Sequence, residues 1–433
     1  MKLTARLCGV LLLVSNPHAP GPAAPHDGTA AAEALQEAEA TCRGDGGALW
    51  GVSLCGPVLL VDPATRQIWT NQPAKTVQLA RSGEVFTGRV PDEINIANTA
   101  ADWAGVKWTM IMLPLPEEKT RRVALMAHEM WHRIQDELGF PASAAANHHL
   151  DTRAGRYWLQ LEWRALAGAM NTSGAAREKH IADAALFRTR RHQIFENAAA
   201  EEREMELHEG LAEYTGVKLS GAADLRQHVA SQNLNSAPAK KTFVRSFAYA
   251  NGPAYGVLLD EFAPDWRKTL RKGDDLAALL LMRAGVSLPS DLAAAAEGRA
   301  RDYGAAELAM AEDERDRTRR ETIAAYRARF VEGAVLVLPL QKMNMQFDPG
   351  NLVALEGHGT VYPNIRIVDV WGVLTVKSGG ALMSADFSRV TLPAPEKTTG
   401  NPIAGDGWAL DLSAGWKIGR GARAGDFVLE AAP

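Results

Sequence analysis

The chain has 433 residues, of which 46% are hydrophobic and 23% are charged, and its formal net charge is −4. This amount of apolar material is enough for one large core or for two to three domains of ordinary size. The small negative charge gives no basis for binding nucleic acid or an anionic membrane surface, so we expect neither as the main partner.

The N-terminus has the pattern of an export signal. Lys2 and Arg6 precede the apolar run Leu7–Val14, and a stretch rich in Pro, Ala and Gly follows. A basic start and a short apolar run are typical of a secretory signal peptide, which we place at residues 1–24. No later segment supplies the roughly 20 apolar residues that a membrane-spanning helix needs. The sequence therefore predicts an exported protein, periplasmic or secreted, with no transmembrane segment after signal removal.

The cysteines agree with export. We expect residues 25–45 to be a flexible leader because of their Pro, Ala and Gly content. Cys8 lies inside the predicted signal, which leaves Cys42 and Cys55 as an even pair. In an oxidising compartment we expect these two to form a disulfide, with two free thiols as the alternative.

The first part of the mature chain, residues 46–116, has the character of strands. Apolar and β-branched runs separated by turn residues are found at Leu49–Leu60, Gln67–Thr70, Glu84–Val90 and Lys107–Leu115. If the last of these had a free edge, a bound peptide could pair with it.

Residues 117–331 are expected to be mostly helical. Within Thr120–Leu138, apolar residues recur at steps of three or four, which is one stripe of an amphipathic helix. Glu117 and Glu118 before its start complement the helix dipole, and Gly139 provides a stop. Further helical patterns follow as far as about residue 330, and one of them is Ala199–Leu219.

The last hundred residues have a different texture. Residues 332–433 contain short apolar runs separated by Gly, Pro and Asp, and this pattern favours a small all-β domain such as a sandwich. The expected fold class is therefore α+β. One catalytic domain, residues 46–331, would precede the all-β domain.

The strongest chemical signal is the segment His128-Glu129-Met130-Trp131-His132. Residues four apart share one face of a helix, so His128 and His132 can direct both imidazoles at one metal ion. Two neutral imidazoles suit Zn²⁺, and a catalytic zinc site adds a third protein ligand and keeps one position open for water. The carboxylate of Glu129 lies beside them and can act as a general base.

This segment, together with residues 206–214 and 249–252, resembles the gluzincin metallopeptidases, the group of thermolysin and aminopeptidase N. The resemblance implies a zincin-like fold and a Zn²⁺ cofactor. It also implies that His128, His132 and Glu209 are zinc ligands, because Glu209 with Gly210 stands where that group has a Glu followed by a small residue. Glu129 would be the general base.

Two further roles follow from the same resemblance. Glu213, one helical turn after Glu209, would accept a hydrogen bond from a zinc-binding histidine, with an ordinary exposed carboxylate as the alternative. Tyr249, in a Tyr-x-x-Gly context that we expect to lead into a helix, would stabilise the oxyanion of the reaction. Tyr255 is the competing candidate for that role.

The third ligand has a rival. Between His132 and Glu209 stand 76 residues, a much longer gap than in thermolysin or aminopeptidase N, so helices must be inserted between the two ligand helices. Glu162, in the string Leu161-Glu162-Trp163-Arg164-Ala165, resembles the Glu-x-x-Ala context of other zincins. We favour Glu209 and keep Glu162 as the alternative.

The sequence thus predicts an exported zinc-dependent metallohydrolase, a peptidase acting on a peptide or protein substrate. The alternative is an inactive zincin-fold protein that binds or supports a component of the cell envelope. The presence of Glu129 argues against the alternative, because a degenerate copy loses this residue at least cost. A purely structural metal is a third possibility, but closed structural zinc sites favour four Cys or His ligands.

Overall fold

The structure is a computed structural model that describes residues 28–91, 94–140, 142–143, 145–348 and 351–432. The predicted signal peptide lies outside the described residues. Over the described residues the chain is mixed α+β, with an N-terminal strand region, a helical middle and a C-terminal all-β region, as the sequence predicts. The described chain forms two compact units, and the boundary between them falls between Glu312 and Asp313.

The first unit contains a six-stranded sheet of order β3-β4-β2-β1-β6-β5. Only β1 and β6 pair in parallel; the other neighbours are antiparallel. Because β6 lies between β1 and β5, it has no free edge. The prediction that a bound peptide could pair with a free edge of this strand is therefore wrong. The strands are β1 (Val58–Val61), β2 (Gln67–Thr70), β3 (Ala80–Ser82), β4 (Val85–Arg89), β5 (Thr99–Trp103) and β6 (Val106–Met112).

Side chains alternate between the two faces of this sheet, as strand geometry requires. In β1, Val58 and Leu60 pack into the large core that includes the helices, whereas Leu59 and Val61 pack into a separate apolar cluster. The first of these cores contains Met126 and Met130 of the helix that follows β6. The sheet therefore serves as the support on which that helix is placed.

Twelve α-helices are described. They are α1 (Gly28–Asp45), α2 (Lys119–Ile134), α3 (Arg153–Met170), α4 (Gly174–Ile194), α5 (Ala198–Met205), α6 (Leu211–Leu219), α7 (Ala223–Ser236), α8 (Ser246–Phe262), α9 (Trp266–Thr269), α10 (Leu276–Arg283), α11 (Leu292–Ala300) and α12 (Ala305–Arg327). Helix α2 has Glu118 as its N-cap, whose carboxylate accepts hydrogen bonds from the backbone N–H groups of Thr120 and Arg121. Among the described residues, every helix is too short or too polar to cross a bilayer.

The region expected to be a flexible leader differs from that prediction. Residues 28–45 form helix α1, because Ala31, Leu35 and Ala38 recur on one face and are buried in the large core. Most residues of this apolar stripe are alanines, and an alanine-rich composition had suggested a flexible segment instead of a helix. Cys42 lies in the last turn of this helix and is joined to Cys55 by a disulfide with a Cα–Cα distance of 5.1 Å.

The predicted strand at Leu49–Leu60 is only partly a strand. Its first half consists of turns and bends, and the strand begins at Val58. Gly47 and Gly51 adopt positive φ angles of 83° and 77°, a region that glycine enters without steric cost. These residues turn the chain before it can extend.

The second unit is a β-sandwich. A seven-stranded sheet of order β17-β18-β7-β14-β13-β10-β9 and a five-stranded sheet of order β15-β16-β12-β11-β8 contribute to one apolar core, for example through Leu336 and Ile367. The strands are β7 (Val335–Pro339), β8 (Asn344–Phe347), β9 (Val353–Leu355), β10 (Gly359–Tyr362), β11 (Ile365–Asp369), β12 (Gly372–Val376), β13 (Ala381–Met383), β14 (Arg389–Pro393), β15 (Ile403–Gly405), β16 (Trp408–Leu412), β17 (Trp416–Arg420) and β18 (Phe427–Ala431).

Candidate metal centre

Three buried side chains from two distant parts of the chain converge beside the sheet. His128 and His132 lie one turn apart on α2, and their Nε2 atoms are 3.0 Å apart. The Oε2 atom of Glu209 lies 3.6 Å from each of these nitrogens. All three residues could donate an atom to one metal ion.

The spacing of these atoms fits one ion held from one side. Ligand atoms about 2.0 to 2.1 Å from a tetrahedral zinc are about 3.4 Å from one another. The observed distances of 3.0 and 3.6 Å bracket that value. The group therefore has the geometry of a three-ligand site with a fourth position left over.

The outer nitrogens of both imidazoles are held by oxygen acceptors. Nδ1 of His128 donates to Oε2 of Glu213 at 2.9 Å, and Nδ1 of His132 donates to Oε1 of Gln135 at 2.6 Å. When the imidazoles are neutral with the proton on Nδ1, each Nε2 carries a lone pair that can bind a metal ion. A metal ion between the two nitrogens, or a proton on one of them, would account for their separation of 3.0 Å.

The charges around the three residues also favour a bound cation. The carboxylates of Glu129, Glu209 and Glu213 interact with the histidines, and the guanidinium of Arg245 contacts Glu209. With both imidazoles neutral, as metal ligands are, three negative charges and one positive charge leave a formal charge of −2, which one divalent cation would balance. Without a metal ion, burial lowers the pKa of His128, but Glu209 and Glu213 outweigh that effect and raise the pKa well above its ordinary value, so these carboxylates favour a positive charge at this position.

Glu129 is buried but not fully hydrogen-bonded. Its side chain is 4% exposed and its Oε2 atom has no hydrogen-bond partner. Burial raises the pKa of this carboxyl, although the two histidines oppose the rise. Buried carboxylates with a structural role are normally satisfied. The unsatisfied oxygen of Glu129 therefore leaves an acceptor for a group that binds near the two histidines with which this carboxyl interacts.

Glu209 reaches the histidines from an irregular helix. The segment predicted as one helix at Ala199–Leu219 is α5, a π-helical turn at Glu206–Gly210, and α6. In this wider turn Glu206 pairs with Arg188 of α4 at 2.6 Å, while Glu209 faces α2. Such π turns occur often at functional sites.

Glu162, the rival ligand, lies in a buried ionic cluster and is not in the three-residue group. Its carboxylate contacts Arg191 at 2.7 Å and Arg188 at 3.4 Å, and it accepts a hydrogen bond from the hydroxyl of Tyr255 at 2.6 Å. The same cluster contains Glu206, whose pKa burial raises to about 7 against the opposing charge of Arg188. Glu162 and Tyr255 therefore hold helices α3, α4 and α8 together.

Tyr249 contacts two members of the three-residue group formed by His128, His132 and Glu209. Its hydroxyl donates to Oε2 of Glu209 at 2.5 Å, and its ring stacks on His128 with ring centroids 5.5 Å apart. Burial and the charge of Glu209 raise the pKa of this phenol well above its ordinary value, so it stays a donor. The expected position before a helix is wrong, because α8 begins at Ser246 and includes Tyr249.

Three neighbours of the centre were missed by the sequence. Gln135 lies three residues after His132, and this spacing was a signal that could have identified it. Arg245 donates to Oε1 of Glu209 at 2.6 Å, but no local pattern connects these two residues. His208 lies beside Glu209, its Nδ1 atom 3.6 Å from Oε1, and burial lowers its pKa to about 4.

Comparison of the chain with protein-family models, with curated proteins and with solved structures gave no match. The resemblance to gluzincins is therefore carried by the residues of the centre alone.

Proposed function

We propose that this protein is an exported, zinc-dependent hydrolase that cleaves peptide bonds. One observation carries the proposal. His128, His132 and Glu209 could together hold one metal ion, and the buried carboxyl of Glu129, whose Oε2 has no hydrogen-bond partner, interacts electrostatically with both histidines. Two histidines, one carboxylate and an adjacent free carboxylate are the ligand set and base of a hydrolytic zinc site.

Zinc bound by His128, His132 and Glu209 would lower the pKa of a water molecule towards about 7 and polarise a substrate carbonyl. The chain's own residues supply the remaining steps. Glu129 accepts the proton of the attacking water and passes it to the leaving amine. Glu213 and Gln135 keep the two imidazoles in the tautomer that presents Nε2.

Tyr249 would act on the oxyanion. Its hydroxyl donates a hydrogen bond to Glu209, one of the three candidate ligands. A small rotation of the phenol would redirect that hydrogen bond to the carbonyl oxygen of a substrate. A donor in this position acts on charge that develops only in the transition state. Tyr249 would therefore accelerate the reaction without tightening substrate binding.

The direct test is hydrolysis of a mixed peptide library by the purified mature protein, followed by mass spectrometry. We expect about one zinc per chain, cleaved peptides, loss of cleavage after chelation and its return when zinc is restored. Stoichiometric zinc with no cleavage of any peptide would favour the alternative, an inactive zincin-fold protein of the cell envelope. A chain that binds no divalent metal would refute the proposal.

Tyr249→Phe removes only the hydroxyl from the proposed oxyanion donor. We expect zinc content and folding to persist, while kcat falls about a hundredfold to a thousandfold and KM changes little, because the lost hydrogen bond belongs to the transition state. Steady-state kinetics on a peptide identified in the library would measure both constants. Tyr255→Phe is the matched control, since its hydroxyl bonds to Glu162. A parental kcat in Tyr249→Phe together with a large loss in Tyr255→Phe would transfer the role to Tyr255.

A further inference from the structure

The two oxygens of Glu209 have different surroundings. Oε2 lies 3.6 Å from the Nε2 atoms of both histidines and accepts the hydrogen bond of Tyr249. Oε1 accepts a hydrogen bond from Nη2 of Arg245 at 2.6 Å. One oxygen is therefore turned towards the metal position, while the other is held by a cation.

Both contacts come from the first turn of α8. Arg245 is the N-cap residue of that helix, and Tyr249 follows it by four residues, so the two side chains share one face. Helix α8 packs closely against the π-helical turn, because the contact is made by two glycines, which have no side chains. A Cβ atom on Gly252 would lie only 2.2 Å from the carbonyl oxygen of Gly210. This close approach places the pair Arg245 and Tyr249 across the carboxylate of Glu209.

The number of Glu209 oxygens that bind a metal affects the chemistry. A carboxylate can bind a cation through one oxygen or through both. A second oxygen beside the bound water would make the metal five-coordinate and would fill the position that a hydrolytic zinc adds only in the transition state. Glu209 is 3% exposed, so bulk water cannot compete for its outer oxygen. A short charge-assisted hydrogen bond from a planar guanidinium is strong and directional. The hydrogen bond from Arg245 to Oε1 would therefore hold this oxygen away from the metal.

We propose that Arg245 is a positioning residue that restricts Glu209 to one-oxygen coordination and so keeps the water-bound metal four-coordinate. This inference rests on the proposed function. Arg245 acts through Glu209 and has no direct role towards the substrate. Its effect should therefore be visible in the coordination of the metal itself, before any substrate is added.

The test is the visible spectrum of the cobalt-substituted protein, because the d–d bands of Co²⁺ weaken when four-coordinate metal becomes five-coordinate. We expect a four-coordinate spectrum for the parent, a five-coordinate spectrum for Arg245→Met, and a parental spectrum for Arg245→Lys, which keeps the cation. With zinc, Arg245→Met should bind one ion per chain and lose about ten- to a hundredfold in kcat. Arg121→Met, at an exposed arginine of α2, is the matched control.

A parental cobalt spectrum for Arg245→Met would overturn the inference and leave the proposed function intact. A parent that binds neither cobalt nor zinc would instead refute the metal centre. If Arg245→Met does not fold, a crystal structure of the zinc-loaded parent decides the question. One bonded oxygen of Glu209, with Arg245 on the other, is the expected result, and two bonded oxygens would overturn the proposal.

Discussion

Replacing His128, His132 or Glu209 by alanine should remove stoichiometric zinc from the protein. Each residue would supply one of three atoms that face a common point, so each substitution leaves two ligands in a buried site that still carries uncompensated carboxylates. We expect zinc affinity to fall by more than the about ten- to hundredfold that is typical when only an outer hydrogen-bond partner is lost. Metal analysis after dialysis, and competition with a chelator of known affinity, would measure the change.

Glu162→Gln is the control that separates the two candidate ligands. This substitution keeps the shape of a side chain in the buried ionic cluster and removes its charge, so it should alter stability but leave zinc bound. Zinc lost from Glu162→Gln and retained by Glu209→Ala would transfer the ligand role to Glu162. Full zinc content in both His128→Ala and His132→Ala would eliminate the centre altogether.

Glu129→Gln should separate metal binding from turnover. The amide matches the carboxylate in size and keeps an acceptor oxygen, but it cannot take a proton from water at neutral pH. General base catalysis contributes typically about a hundredfold to ten-thousandfold, and we expect kcat to fall by that factor. Zinc should remain at one per chain, because Glu129 is not one of the three residues that could hold the ion.

The matched control for this prediction is Glu137→Gln, at an exposed glutamate just beyond α2. Metal content and single-turnover rates of both variants would be compared on a peptide from the library. If Glu129→Gln cleaved that peptide as fast as the parent, the zinc-hydrolase mechanism would have to be abandoned. Loss of zinc from Glu129→Gln would instead make Glu129 a candidate ligand.

Local patterns predicted the elements that carry their own periodicity. The stripe in Thr120–Leu138 became α2, and strands were found within three of the four predicted segments at nearly the expected bounds. The errors have local causes. The leader became a helix because alanines formed its apolar face, and glycines with positive φ turned the chain where Leu49–Leu60 had suggested a strand. The π turn was also beyond prediction, since its sequence continues a helical pattern.

The sequence by itself determined one half of the candidate centre. His128, Glu129 and His132 lie within five residues of one helix, so helical geometry alone places both imidazoles on one face. The partner of His132 was also within reach, because Gln135 is three residues away. Pairing Cys42 with Cys55 needed only the cysteine count, and the structure contains that bond.

Only the tertiary structure decided the other half. Which of Glu162 and Glu209 faces the histidines depends on how α3 and the π turn pack, and no local periodicity encodes that choice. The contacts of Arg245 and Tyr249 with Glu209 likewise join residues 36 and 40 positions apart. Contacts at such separations are set by the packing of helices around a shared core, since the free energy of burial depends on apolar area and not on sequence distance.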